Sequence, residues 1–127
     1  MTVDMNNVYE MMYRGIQSRA QFSIDQFKQA MRDWIVIPVL DQRGIVGGVM
    51  MRDNELHIST GRRFYGDRNQ IIRDILEPVV ARYKLAKTTV SKDNPRGLKF
   101  CQRLGFKVVS EDDNKWHLQC DRCEYYV

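Results

Sequence analysis

The sequence has little with which to staple a fold or cross a membrane. It holds three cysteines, three prolines and two histidines in 127 residues. An odd cysteine count does not close a set of disulfides, and free thiols in a reducing compartment are the simpler expectation. Cys120-x-x-Cys123 is a lone pair, whereas a structural zinc site takes four ligands. His117 lies on the same expected strand as Cys120, a poor geometry for chelation, so no metal is expected. No apolar run approaches the ~20 residues of a membrane span. The longest, Trp34 to Leu40, is strand-sized. The opening Met1-Thr2-Val3-Asp4-Met5 has no basic stretch followed by an apolar one, so a cytoplasmic location is expected. No Lys/Arg run reaches five. The net charge of +4 and pI of about 9.1 are mild: they suit an anionic ligand and leave nucleic acid a minor option.

What is present reads as one domain, residues 1–127. Apolar content is 43% and charged content 28%, ordinary for a globular protein. Repeats, low-complexity tracts and linkers are absent. Met5, Val8, Met12 and Ile16 predict a helix over 4–17. Ser23-x-x-Gln26 reads as a capping box, and Ile24, Phe27, Met31 and Trp34 extend its helix. Three strands follow, at Trp34–Leu40, Ile45–Met51 and Leu56–Thr60, joined by short polar turns that argue for an antiparallel meander. Pro38 cannot donate to a ladder, so the first strand belongs at a sheet edge or carries a bulge. Ile71, Ile72, Ile75, Leu76, Val79, Val80 and Tyr83 then predict the strongest helix, kinked or weakened by Pro78. Strands are expected at Lys87–Ser91, Phe106–Ser110 and Lys115–Cys120.

Between the last three strands lies the most informative stretch, Asn94-Pro95-Arg96-Gly97-Leu98-Lys99-Phe100-Cys101-Gln102-Arg103-Leu104-Gly105-Phe106. Asn94 suits a helix N-cap and Pro95 the first turn. Gly105 suits a left-handed terminator. The stretch resembles the late signature of the GNAT family of N-acetyltransferases, in which an Asn opens a helix and a Gly-Phe pair closes it. The element order also resembles that fold with its first strand missing. The resemblance implies an α/β (α+β) three-layer architecture: a central, mixed and mostly antiparallel sheet of about six strands flanked by helices. It also implies acyl transfer from acetyl-CoA or coenzyme A to an amine.

A second family signature follows the fourth strand of that fold. Here the run is Ile58-Ser59-Thr60-Gly61-Arg62-Arg63-Phe64-Tyr65-Gly66-Asp67-Arg68, with Arg63 and Gly66 in register and Arg68 in place of a small residue. A tight loop entering a helix turns backbone N–H groups outward and suits a pyrophosphate. The resemblance therefore implies cofactor contacts from Ile58, Arg63, Phe64, Tyr65, Gly66, Asp67, Arg68 and Asn94. It implies a proton donor at Cys101, where the family usually has tyrosine. The residue also sits on the apolar stripe with Leu98 and Leu104, so a small buried hydrophobe is the competing reading. His57 is the candidate base, with Glu55 and His117 as alternatives. The departures at Arg68 and Cys101, and the absent first strand, leave a second reading open. In it the chain is a catalytically eroded structural or binding protein, similar to small GNAT-like proteins of tailed bacteriophages found in head assembly or inside the particle. An open sheet edge would then accept a partner strand or a second copy.

Overall fold

The structure, a computed structural model, describes residues 3–123. They form two compact units: the described part of Met1–Arg52 with His57–Gly66, and Asp53–Leu56 with the described part of Asp67–Val127.

In the first unit, Asp4 caps helix α1 (Met5–Ile16) by accepting from Asn6 N–H at 3.0 Å. Helix α2 (Ile24–Ala30) starts at the expected capping box, with Gln26 N–H donating to Ser23 Oγ and Ser23 N–H to Gln26 Oε1. It ends earlier than the apolar spacing predicts. The chain tightens into a 3-10 turn at Met31–Asp33, and Trp34 is extended (φ −122°, ψ 149°). Trp34 is used elsewhere: Arg52 lies over its ring at 4.2 Å, and the His57 ring meets its edge at 5.7 Å. Strands β1 (Ile35–Asp41) and β2 (Gly44–Arg52) pair antiparallel, with a bulge between Val39 and Leu40. Strand β3 spans Glu55–Thr60.

Val8 and Met12 of α1 are wholly buried with Phe27 and Met31, and Trp34, Val36, Ile45 and Met50 pack against them. Glycines allow this close approach. A Cβ on Gly48 would lie 2.7 Å from Met12 Sδ, and one on Gly47 only 2.0 Å from the Ser59 carbonyl oxygen. Ser59 Oγ donates to the Met12 carbonyl at 2.6 Å, tying β3 to the helix.

The second unit opens with β3 against β4 (Ala86–Ser91), a parallel pair registered at Glu55↔Lys87. Lys87 N–H donates to Asn54 O at 2.9 Å, and the Asn54 amide to Leu85 O at 3.1 Å. The sequence predicts one helix that Pro78 kinks or weakens by a turn, and the distorted turn lies just upstream of the proline. Helix α3 (Arg68–Ile71) passes into a π-turn at Ile72–Leu76 and then into α4 (Glu77–Tyr83). Proline has no N–H for the preceding turn and its ring crowds that turn's carbonyl. The backbone widens to accommodate it, and Glu77 N–H reaches back five residues to Ile72 O. Ile71, Ile72, Ile75, Leu76 and Val79 stay buried, but Tyr83 leaves the stripe and is 38% exposed.

Helix α5 (Pro95–Leu104) carries both expected ends. Asn94 Oδ1 accepts from Gly97 N–H at 3.1 Å, and Gly105 is left-handed at φ 114°. Phe106 N–H donates to Cys101 O and Gly105 N–H to Gln102 O, the paired bonds of a Schellman ending. Phe106 is buried as the partner of that cap, and the strand begins one residue later: β5 is Lys107–Glu111 and β6 Lys115–Cys120. Six consecutive pairs join β6 to β4, from Ala86↔Cys120 to Ser91↔Lys115.

The six strands follow the order β1-β2-β3-β4-β6-β5, antiparallel at β1–β2, β4–β6 and β5–β6 and parallel at β3–β4. Helix α1 packs on β2, while α4 and α5 pack on β4. This is the mixed six-strand sheet flanked by helices that the sequence predicts. Pro38 sits on an edge strand, one residue before the bulge.

Candidate functional site

The loop 61–66, where the sequence places most cofactor contacts, is tied to the β1–β2 turn by Asp41. This carboxylate accepts from Arg62 Nη1 and Nη2 at 2.8 Å each, from Tyr65 N–H at 3.0 Å and from Arg43 N–H at 2.8 Å. Its side chain is fully covered and that of Arg62 is 28% exposed. The Arg62 guanidinium holds the Asp41 carboxyl well below the usual carboxylate range, and Asp41 in turn raises Arg62. Arg62 also donates to the Arg63 carbonyl at 3.0 Å. Nothing in the spacing of the sequence signals this knot, because its halves lie in separate turns.

With Arg62 committed, two exposed arginines remain at this knot, one from each segment. Arg43 lies 4.3 Å from the Tyr65 ring centroid and Arg63 5.5 Å from it. Phe64 folds over Gly66, where a Cβ would sit 2.4 Å from Phe64 Cζ. The glycine therefore makes room for a side chain of the loop itself. On β3, His57 is half-buried, edge-on to Trp34 and not free of other partners, and Ile58 is half-buried beside it.

The remaining expected residues belong to the second unit. Asp67 caps α3 by accepting from Asn69 N–H at 2.9 Å, and Arg68 is half-buried and already engaged. Asn94 is half-buried, its side-chain oxygen used on Gly97. Cys101 is 6% exposed, and burial pushes its thiol up to about 12. This is the environment that the apolar-stripe reading describes. Cys120 is buried and Cys123 half-buried, and burial raises the latter to about 11. On the β5–β6 hairpin, His117 Nε2 and Asp112 Oδ2 are 2.9 Å apart. That contact, with the Asn114 and Lys115 N–H groups, lowers Asp112 to about 2. Among the described residues, no three His, Cys, Asp or Glu side chains gather as metal ligands, and no helix is long and apolar enough to cross a membrane.

The donor set determines how far this loop fits a phosphate-bearing cofactor. Tyr65 N–H is taken by Asp41 and Gly66 is covered by Phe64, so part of the backbone cradle serves the loop itself. The exposed Arg43 and Arg63 fit an anion, and planar guanidiniums match phosphate oxygens.

No family model and no curated protein matches the sequence. Solved structures do match. PH1933 from Pyrococcus horikoshii is similar at a TM-score of 0.70 and 12% identity, over 96% of this chain and 94% of that one. The PaiA N-acetyltransferase of Thermoplasma acidophilum, in complex with coenzyme A, is similar at 0.58 and 10% identity, over 91% and 89%. A GNAT family acetyltransferase of Elizabethkingia anophelis with acetyl-CoA bound is similar at 0.60 and 11%, over 88% of each chain. Identities this low speak for the arrangement of the backbone alone, and on that ground the chain has the fold of the GNAT acetyltransferases.

Proposed function

We propose that this chain is an acyl-CoA-dependent N-acyltransferase that works in the cytoplasm. The observation that carries the reading is the match, over about nine-tenths of both chains, to acetyltransferases solved with coenzyme A or acetyl-CoA. The α5 ends support it, because the sequence resemblance asks for them. Arg63 and the loop around it would hold the phosphates. The cofactor supplies an activated acyl thioester. His57 is the candidate group for taking the proton of the acceptor amine. Titration calorimetry with acetyl-CoA tests binding, and no heat at millimolar ligand would sink the reading. Thiol release from acetyl-CoA with a panel of amines, spermidine and N-terminal alanine peptides included, then tests turnover. Those two acceptors are chosen because spermidine and ribosomal-protein S18-alanine N-acetyltransferases share the fold.

Cys101 favours a second reading. A thiol held at about 12 is a poor proton donor to a leaving thiolate whose own reference lies near ~8.5. In this reading the fold is kept and the chemistry lost, as in a GNAT-like phage head-assembly or internal-particle protein. Cys101→Ala separates the two. If turnover exists and falls about a hundredfold or more with folding intact, Cys101 is the acid. Unchanged turnover makes it core. Binding without turnover on any amine supports the eroded protein.

A further inference from the structure

The turn that fixes Asp41 also delivers a residue to which no sequence motif points. Arg43 comes from the β1–β2 hairpin, its backbone N–H held by Asp41 Oδ1 at 2.8 Å, and its guanidinium lies 4.3 Å from the Tyr65 ring centroid. Arg63 reaches the same ring at 5.5 Å from the other segment of the knot. Tyr65 is 45% exposed, and both arginines are exposed. The carboxylate of the knot does not neutralise them, because Asp41 is covered and bonded to Arg62. Two cations thus share one ring, facing solvent. The two guanidiniums are therefore no more than 9.8 Å apart, and an anion with two negative charges is attracted to both. The ring contacts offset part of the rotamer freedom that both side chains would lose on binding.

We infer that Arg43 and Arg63, held on Tyr65, form a site for a phosphate monoester, and that in this protein it takes the 3′-phosphate on the ribose of coenzyme A. The inference rests on the acyl-CoA reading above and adds Arg43 as the residue that selects the phosphorylated cofactor. A monoester is terminal and carries close to two charges, so exposed guanidiniums reach it without the loop's backbone N–H groups. The backbone is in any case partly committed, through Tyr65 N–H to Asp41.

Calorimetry at low salt with coenzyme A and with 3′-dephospho-coenzyme A tests the assignment on the whole chain. The wild type is expected to prefer coenzyme A by about tenfold or more. Added salt should shrink that preference. Arg43→Ala should reduce it to within about twofold, chiefly by weakening coenzyme A binding. Tyr65→Phe keeps the ring and should keep the preference, whereas Tyr65→Leu should lose most of it. Circular dichroism confirms that each variant folds. Equal wild-type affinities for the two ligands would overturn the 3′-phosphate site and leave the acyl-CoA reading standing. A preference untouched by Arg43→Ala would overturn the role of Arg43. Failure of both ligands to bind removes the acyl-CoA reading and this inference with it.

Discussion

At the scale of single residues, burial separates side chains that the sequence presents as equals. Three cysteines differ sharply once folded: Cys101 and Cys120 are buried, while Cys123 is half-buried. Native-state alkylation followed by mass spectrometry should label Cys123 first and leave Cys101 protected until urea unfolds the chain. Early labelling of Cys101 would contradict its burial. Asp112 shows the opposite case, an exposed residue whose carboxylate makes three polar contacts. Its folded pKa of about 2 lies below the ordinary 3.8, so its contribution is complete above that ordinary value and is lost as pH falls through about 2. Asp112→Ala should therefore lower the urea midpoint at pH 7, and the gap from wild type should close as pH approaches 2. A gap that stays constant with pH would mean that the carboxylate's charge is not what holds the hairpin.

At the scale of elements, the ends of helices were written locally and their middles were not. Asn94, Pro95 and Gly105 act within a few residues of themselves, and α5 begins and ends where they stand. Asn94→Ala should cost about 1 kcal/mol and Asn94→Asp much less, read from urea unfolding. Equal losses would point to a role for the amide beyond capping. Helix α2 stops at Ala30 although apolar spacing continues to Trp34, because Trp34 packs with Arg52 and His57 instead. Around Pro78 the sequence marks a defect without saying where the backbone will take it. The π-turn at Ile72–Leu76 takes it upstream, keeping five apolar side chains buried and releasing Tyr83.

For the whole molecule, close packing and sheet edges matter most. Gly47 has no room for a methyl group because backbone, the Ser59 carbonyl, lies where it would go. Gly47→Ala should cost about 2–3 kcal/mol, the upper part of the overpacking range. A neutral substitution would mean that the strands part easily. The β1 edge, which the sequence leaves open to a partner strand, is blunted by Pro38 and the bulge beside it. Pro38→Val restores a donor to that edge, and sedimentation should show increased self-association. Unchanged sedimentation would show that the proline does not guard the edge.

The sequence by itself determined what depends on near neighbours and on period. That covers the order of elements, the two strongest caps, the edge position of the proline-bearing strand and, through two short signatures, the fold. Only the tertiary structure decided which arginines are spent and which remain. Arg62 and Arg63 are adjacent and chemically alike, yet one is bonded to Asp41 and the other lies exposed beside Tyr65. Arg43 joins them from a distant turn. The physical reason is that caps and periodicity are short-range properties of the backbone, while the charge left over for a ligand depends on which distant side chains the folded sheet brings together.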